Sequence, residues 1–386
     1  MHIVDVCAFY SPRGGGVKTY VDQKLAMAGK AGHKITVLAP GEGHRIERRA
    51  ENARVVTIPG PRFPLDRKYW YFADDQHLLR SLDELQPDIV EVSSPWRSPA
   101  LVARWRPDVP KALIMHADPL SAYAYRWFGP MLERTTIDRQ FDAFWSHLRR
   151  LGGQFDTIVC ASEDLRSRLR AGGVANTITL PMGVRHGVFS PARRNPAVRS
   201  RLLAECGLDD EACLLIAAGR LAPEKRIPLL VGAVTKAGRM RPVGLVIFGE
   251  GREERAVRKA ISGNPHIRLF RPVSDRVQFA TILASCDALV HGCEAETFGM
   301  VAAEANASGI PVIVPDAGGA ADFAREGGGI QYRAADMADL VRSIWEVTPD
   351  FLRRAPVLRA VDMEDHFSAL FEHYTQLMAL RRARAA

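Results

Sequence analysis

Short runs of β-branched and aliphatic residues alternate with longer stretches of helical period along the whole chain, as strands and crossover helices do in a parallel sheet. In the first half the pattern predicts strands near Ile3–Ala8, Ile35–Ala39, Val55–Ile58, Asp88–Val92, Ala112–Met115, Thr157–Ala161 and Thr177–Leu180. Helices fill the intervals, notably Val17–Ala31 and Asp164–Ala171. Periodicity lapses over Pro181–Pro196, where turn residues gather, and then restarts with Cys213–Ala218, Val243–Phe248, Ile267–Phe270, Ala288–Val290 and Pro311–Val314. The chain therefore reads as α/β, with two doubly wound parallel sheets in tandem that divide near residue 188. In its last stretch, 366–386, Phe367, Leu370, Phe371, Tyr374, Leu377 and Met378 share one helical face. That face needs a groove, and packing back on the N-terminal domain (1–188) supplies one, leaving 189–365 as the C-terminal domain.

Length agrees with two domains, because 386 residues exceed what one core usually organises. With 47% hydrophobic and 25% charged residues the chain is globular, and no apolar run reaches the length of a membrane span. The opening Met1-His2-Ile3-Val4-Asp5-Val6 carries an acid in its apolar stretch and reads as a first strand rather than a signal peptide, which implies a cytoplasmic protein. Six scattered cysteines without a Cys-x-x-Cys pair argue for free, mostly buried thiols over a disulfide or zinc framework. The net charge of +8 divides unevenly, +6 over residues 1–190 and +2 over the rest. Much of the first excess lies in Arg45, Arg48, Arg49, Arg54, Arg62, Arg67 and Lys68, beside the aromatic run Tyr69-Trp70-Tyr71-Phe72. A basic and aromatic segment over 45–72 fits either a solvated arginine-rich loop or a contact with an anionic membrane surface.

Two tandem sheets of this class create a cleft at the carboxyl ends of their strands, where ligands bind. Three constellations follow strands. Ser11-Pro12-Arg13-Gly14-Gly15-Gly16 leads into a helix whose first amides suit a phosphate, although a plain flexible loop reads equally well. It is not Gly-x-Gly-x-x-Gly, so a dinucleotide is poorly supported. Gly219-Arg220 with Glu224-Lys225 offers a planar fork and a movable point charge to a diphosphate, or else a surface loop with an internal Glu224 ion pair. The third, Glu296-Thr297-Phe298-Gly299-Met300-Val301-Ala302-Ala303-Glu304, is the most specific. Thr297 is a competent N-cap, and the amides of Phe298, Gly299, Met300 and Val301 would point at an anion. Helical rise places Glu304 about 12 Å beyond Glu296, a gap that suits a sugar nucleotide. Without such a role, Glu304 among alanines would be buried with no evident partner.

Taken in order, these pieces resemble the retaining glycosyltransferases of family 4, whose architecture of two Rossmann-like domains is called GT-B. The pieces are Gly15-Gly16-Val17, Ala161-Ser162-Glu163, Pro181-Met182-Gly183-Val184 with Phe189, Gly219-Arg220-Leu221 with Glu224-Lys225, Phe248-Gly249-Glu250-Gly251, Glu296-x7-Glu304, and Gly309-Ile310-Pro311-Val312 with Gly318-Gly319. The resemblance implies that Glu304 binds the nucleotide ribose, Glu296 approaches the donor sugar, Arg220 and Lys225 neutralise the diphosphate, and Gly16 gives an amide from the other domain. Met115-His116-Ala117-Asp118 is similar to the family's histidine loop, which places His116 near the transferred sugar, while Asp118 fixes the loop. Through Pro119, Tyr123 and Tyr125 the segment looks most like the branch that glycosylates lipids. Gly292-Cys293 stand where the family often has Pro-Ser, which would loosen the backbone near the donor. Asp322 replaces a Glu, and Met182 an Asn.

The implied reaction is transfer of a sugar, with retention, from a nucleotide diphosphate sugar to a lipid or glycan hydroxyl, a UDP-sugar being slightly favoured over GDP-mannose. Neither a metal nor another cofactor is expected, because the sequence holds no Asp-x-Asp run or His/Asp cluster suited to Mg²⁺ or Mn²⁺. Arg220, Lys225 and helix amides would stabilise the leaving diphosphate instead. A sugar-nucleotide 2-epimerase of the same architecture and a non-catalytic nucleotide-sugar-binding protein are the alternatives. Nucleic acid is not an expected partner, since charge alone supports it. The expected location is the cytoplasm, with a peripheral position on the inner face of the membrane through 45–72.

Overall fold

The computed structural model describes the chain except residues 12–15, 65–68, 94–96, 117, 119, 125–127, 129–133, 186, 355–360 and 386. It divides into two compact units, one of Met1–Asp118, Met131–Pro181 and Met363–Ala386, the other of Pro119–Pro130 and Met182–Asp362. The main segment of the second starts at Met182, beside the division near residue 188 expected from the sequence. Val184 bridges Asp362, and its amide donates to the Val361 carbonyl at 2.9 Å, so the two chain segments that pass between the units lie side by side within the second.

In the first unit the described strands are β1 (His2–Val6), β2 (Lys34–Gly41), β3 (Arg45–Ala50), β4 (Ala53–Pro59), β5 (Ile89–Ser93), β6 (Lys111–Ile114), β7 (Thr157–Cys160) and β8 (Thr177–Thr179). They form one sheet in the order β3-β4-β2-β1-β5-β6-β7-β8, with Ile3 in register with Ile35 on one side and Ile89 on the other. Every pair is parallel except β3 with β4. The alternation of apolar residues did not reveal β3, because Arg45, Arg48 and Arg49 are exposed and no apolar face marks it. Backbone pairing forms it: Arg45 lies opposite Thr57 and Arg48 opposite Arg54, across a turn at Glu51-Asn52. Arg45, Arg48 and Arg49 thus lie on an edge strand rather than in a loop.

The second unit carries β9 (Cys213–Ala218), β10 (Val243–Phe248), β11 (Ile267–Phe270), β12 (Ala288–Val290), β13 (Val312–Pro315) and β14 (Gly329–Tyr332), all parallel, in the order β11-β10-β9-β12-β13-β14. Its central strands, Cys-Leu-Leu-Ile-Ala-Ala and Val-Gly-Leu-Val-Ile-Phe, are apolar throughout because helices cover both faces. Leu215, Leu245, Ile247, Leu230, Val234 and Ile344 are fully buried together in the core on one side. The edge strand β14 was not anticipated, since Gly329-Ile330-Gln331-Tyr332 offers only a brief mixed run.

The closing helix, Met363–Ala385, belongs to the first unit, and Phe367, Leu370, Phe371 and Tyr374 are buried as its apolar face requires. It also closes a polar network. Lys24, on the helix Gly16–Ala28, is fully buried and forms ion pairs with Asp5 of β1 and Glu91 of β5, and the Tyr374 hydroxyl donates to Glu91 at 2.7 Å. Among the described residues no helix is long and apolar enough to cross a membrane. All six cysteines are unpaired thiols, and all but Cys213 are buried.

Candidate functional site

Chain order reverses at the centre of each sheet: β9 has β10 on one side and β12 on the other, and β1 lies between β2 and β5. Loops leaving adjacent strands at such a point diverge to opposite faces and open a crevice at the carboxyl ends. In the second unit those loops follow Ala218 and Val290, and they carry Arg220 and Lys225 on one side and the segment from His291 to Glu296 on the other.

Two successive cations clasp two acids here. Lys225 pairs with Glu296, and Arg226 pairs with Glu294, all four side chains being largely buried. A single 3-10 turn, Pro223–Lys225, sets this spacing, and Arg226 follows it in the left-handed region at φ 48°. Neither Arg226 nor Glu294 was selected from the sequence, although Lys225-Arg226 against Glu294-x-Glu296 is a readable signal. Burial pushes the Lys225 ammonium below its ordinary pKa. The Arg220 side chain is 73% exposed and pairs with Glu224 at 3.1 Å. A pair so exposed holds weakly, so Arg220 can turn to an arriving anion at little cost.

Glycines bring the surrounding backbone close. A Cβ on Gly249 would sit 2.2 Å from the Gly219 carbonyl oxygen, and one on Gly292 would sit 2.5 Å from that of Lys225. Gly292 therefore tightens the packing of the two loops rather than loosening the backbone near the site. Beneath them, Gly319 donates its amide to the Glu296 carbonyl at 2.7 Å, and a Cβ there would lie 2.5 Å from Phe298 Cα.

Thr297 is not the N-cap. The helix runs Met300–Ala307, and Gly299 caps it at φ 90°, a conformation that disfavours other residues. Met300 and Val301 occupy its first turn, where amides lack intrahelical acceptors. Phe298 is buried edge-on against Phe323 at 5.4 Å. Because Glu296 precedes the helix, helical rise does not measure its separation from Glu304.

Glu304 is buried, as expected, but it has a partner: Arg276, the first residue of the helix Arg276–Ala284. Arg276 is itself bracketed by the rings of Phe189 and Phe279, at 5.1 and 5.3 Å. Burial raises the Glu304 carboxyl to about 7, against the opposing pull of Arg276. No spacing rule links residues 28 positions apart in different helices, which is why the sequence did not reveal this pair. His291 and Cys293, buried beside Glu296, were likewise not selected.

In the first unit His116 follows β6 and stands edge-on to the Tyr20 ring at 4.8 Å. Burial holds its imidazole down at about 4, so it is neutral near pH 7. Tyr20 in turn meets His366 of the closing helix, hydroxyl to Nε2 at 3.1 Å. Asp118 pairs with Arg168. Gly16 opens the helix Gly16–Ala28 with no atom within 4 Å of a would-be Cβ. Gly15, like Arg67, Lys68, Pro119 and Tyr125, lies outside the described residues, and the Tyr123 side chain does too. Of the aromatic run, Phe72 is buried, Tyr69 packs on Phe9 at 5.6 Å, and Trp70 lies under the Arg62 guanidinium at 4.1 Å. These rings are largely engaged within the fold.

The family profile described as Glycosyltransferase Family 4 matches residues 14–187, and that described as Glycosyl transferases group 1 matches 199–351. The chain is 32% identical over 320 residues to a GDP-mannose-dependent alpha-(1-6)-phosphatidylinositol dimannoside mannosyltransferase of Mycobacterium tuberculosis, covering 81% of this chain and 79% of the relative. It is 30% identical to a GDP-mannose-dependent alpha-mannosyltransferase of the same species, covering 84% and 81%. Among solved structures, a sucrose-phosphate synthase from Thermosynechococcus elongatus superposes with a TM-score of 0.72 at 17% identity, over 98% of this chain and all of that one. This last likeness shows the GT-B fold alone.

Proposed function

The chain belongs to glycosyltransferase family 4 and is a glycosyltransferase, and from that premise we propose that it transfers mannose, with retention, from GDP-mannose to a hydroxyl of a lipid-linked acceptor. The preference for a UDP-sugar gives way to GDP-mannose because several relatives carry that donor in their names. Phosphatidylinositol mannosides, named as the acceptor of one relative, set the acceptor class.

The observation that carries this reading is the clasp of Lys225 on Glu296 at the point where the second sheet reverses, beside the helix that starts at Met300. Each member of the clasp suits a different part of a nucleotide sugar. Lys225 would turn to the diphosphate, joined by Arg220, and the released Glu296 carboxylate would accept hydrogen bonds from hydroxyls of the sugar. Amides of Phe298, Gly299, Met300 and Val301 would face the phosphates, and Gly15 and Gly16 are further proposed donor-binding residues. Glu304, oriented by Arg276, would take the two ribose hydroxyls.

In the reaction the bond from the anomeric carbon to the phosphate oxygen breaks while the acceptor oxygen bonds to the same face, and the acceptor proton passes to the leaving phosphate oxygen. Lys225, Arg220 and the amides stabilise the charge that grows on the diphosphate, in the manner of preorganised donors, and the transfer proceeds without a metal. His116, neutral at working pH, contacts the transferred sugar as a hydrogen-bonding group rather than an essential base. Exposed arginines of β3 serve the acceptor's anionic membrane surface, and the protein works as a peripheral, cytoplasmic enzyme.

Two measurements test the assignment. GDP-mannose should raise the melting temperature of the purified protein, because a ligand that binds only the folded state stabilises it. UDP-glucose and NAD should not. Lys225→Ala and Glu304→Ala should each lower mannosyl transfer by about a hundredfold, on the scale of losing one charge-stabilising group, with the fold retained by circular dichroism. Wild-type rates in both variants would end the proposal. Interconversion of free sugar nucleotides without an acceptor would favour the epimerase.

A further inference from the structure

His291, Cys293 and Glu296 lie on the loop after β12, and their candidate donor atoms are all within 4.8 Å of one another. His291 Nε2 and Glu296 Oε2 face each other at 3.4 Å, and neither has a hydrogen-bond partner. The His291 side chain is only 5% exposed, so this orphaned nitrogen is shut away from solvent and aimed at the carboxylate. Such an atom in a native fold calls for an explanation, an unoccupied ion site among them.

The geometry suits zinc. Ligands about 2.0–2.3 Å from a tetrahedral zinc stand roughly 3.3–3.6 Å apart, and His291 and Glu296 already have that spacing. Imidazole, thiolate and carboxylate are all common zinc ligands, whereas Mg²⁺ and Ca²⁺ prefer oxygen alone. One thiolate and one carboxylate offset the two charges of the dication, and the Lys225 ammonium on Glu296 leaves the site with a net charge of +1. Lys225 remains on Glu296 Oε1 while the metal takes Oε2, so the ammonium need not be displaced. Three protein ligands leave the fourth position to water.

We propose that His291, Cys293 and Glu296 form a zinc site, and that zinc there competes with the sugar nucleotide for Glu296. The competition rests on the reading of Glu296 as a donor-sugar contact, while the metal site itself does not. Binding replaces the Cys293 thiol proton, which passes to solvent. Zinc on Oε2 and Lys225 on Oε1 each take one lone pair of Glu296 and withdraw charge from the two that remain, so sugar hydroxyls are held more weakly and the metal is an inhibitor of transfer rather than a participant.

Cobalt reports the site directly in the full-length protein. Titration with Co²⁺ should produce a sulfur-to-cobalt charge-transfer band that saturates at one equivalent, disappears on addition of Zn²⁺ and is absent in Cys293→Ala. His291→Asn should weaken the metal by about tenfold or more, as loss of one ligand from a three-ligand site does. Melting curves in chelator identify any variant that has lost its fold. Zn²⁺ should weaken GDP-mannose binding at least tenfold in the wild type and leave Cys293→Ala unaffected. No thiolate band, or an undiminished band in Cys293→Ala, overturns the site. Bound zinc with unchanged GDP-mannose affinity overturns the competition. Should GDP-mannose not bind the metal-free protein, the donor assignment fails, and the cobalt band still decides the metal site.

Discussion

Glu304 sits in a run of alanines with its carboxyl moved from 4.5 to about 7 by burial, and Arg276 is the group that opposes the move. An acid must be ionised to accept hydrogen bonds from both ribose hydroxyls, so GDP-mannose affinity should fall as the pH drops through about 7. His116 at about 4 and His291 at about 3 stay neutral across this range, which leaves the slope to Glu304. Isothermal titration between pH 5.5 and 8.5 should find that slope in the wild type and lose it in Glu304→Gln; an equal slope in the variant would assign it elsewhere. The same raised value acts on stability in the opposite direction. Folded protein holds the Glu304 proton where unfolded chain has released it, so this group's contribution diminishes as pH rises from about 4.5 to about 7. Lys24 illustrates the other buried extreme. Its two acids, Asp5 and Glu91, share its ammonium in a site with no exposure. Lys24→Met should destabilise the protein by about 3–5 kcal/mol in urea unfolding, because removing one partner strands charge in the interior.

At the scale of elements, the site depends on loops held in register by glycines on their neighbours. Gly319 is the sharpest case, since a methyl group would meet backbone of Thr297 and Phe298 rather than a yielding side chain. Gly319→Ala should therefore shift the loop that carries Glu296, lower GDP-mannose affinity by about tenfold and cost about 1–3 kcal/mol of stability. Unchanged affinity and stability would mean that the loop relaxes without consequence. The helix start at Met300 follows the same logic: Gly299 turns the chain where the expected cap Thr297 does not. A pattern of side chains predicted the helix, but its first residue was set by a backbone conformation that only the packed loop selects.

For the whole molecule, the net charge of +8 divides equally between the two units, and part of the first unit's share is displayed on an edge strand. Arg45 and Arg48 are exposed there beside Ile46, which is 55% exposed, whereas Trp70 and Phe72 are engaged in the fold. Membrane attraction should accordingly follow the strand more than the aromatic run. Arg45→Glu with Arg48→Glu should reduce sedimentation with anionic vesicles by about fivefold or more per site, each arginine near such a surface being worth about 1 kcal/mol. Binding equal to wild type would remove β3 from membrane docking.

The sequence by itself determined the alternation of strands and helices, the two sheets and the buried face of the closing helix, and it marked Lys225, Glu296 and Glu304 as candidates. Each of these rests on information that is local or periodic: an apolar run buried on both faces, a stripe at helical spacing, or a glycine-flanked acid after a strand. Tertiary structure alone decided the partners. Arg226 reaches Glu294 because chain reversal at the centre of a sheet joins loops that are remote in sequence, Arg276 reaches Glu304 from a separate helix, and the fold of one loop brings His291 to Glu296. It also decided that Arg220 pairs with Glu224 and that the stretch Arg45–Ala50 pairs as a strand, the latter because backbone hydrogen bonds leave no mark on the order of hydrophobic and polar residues.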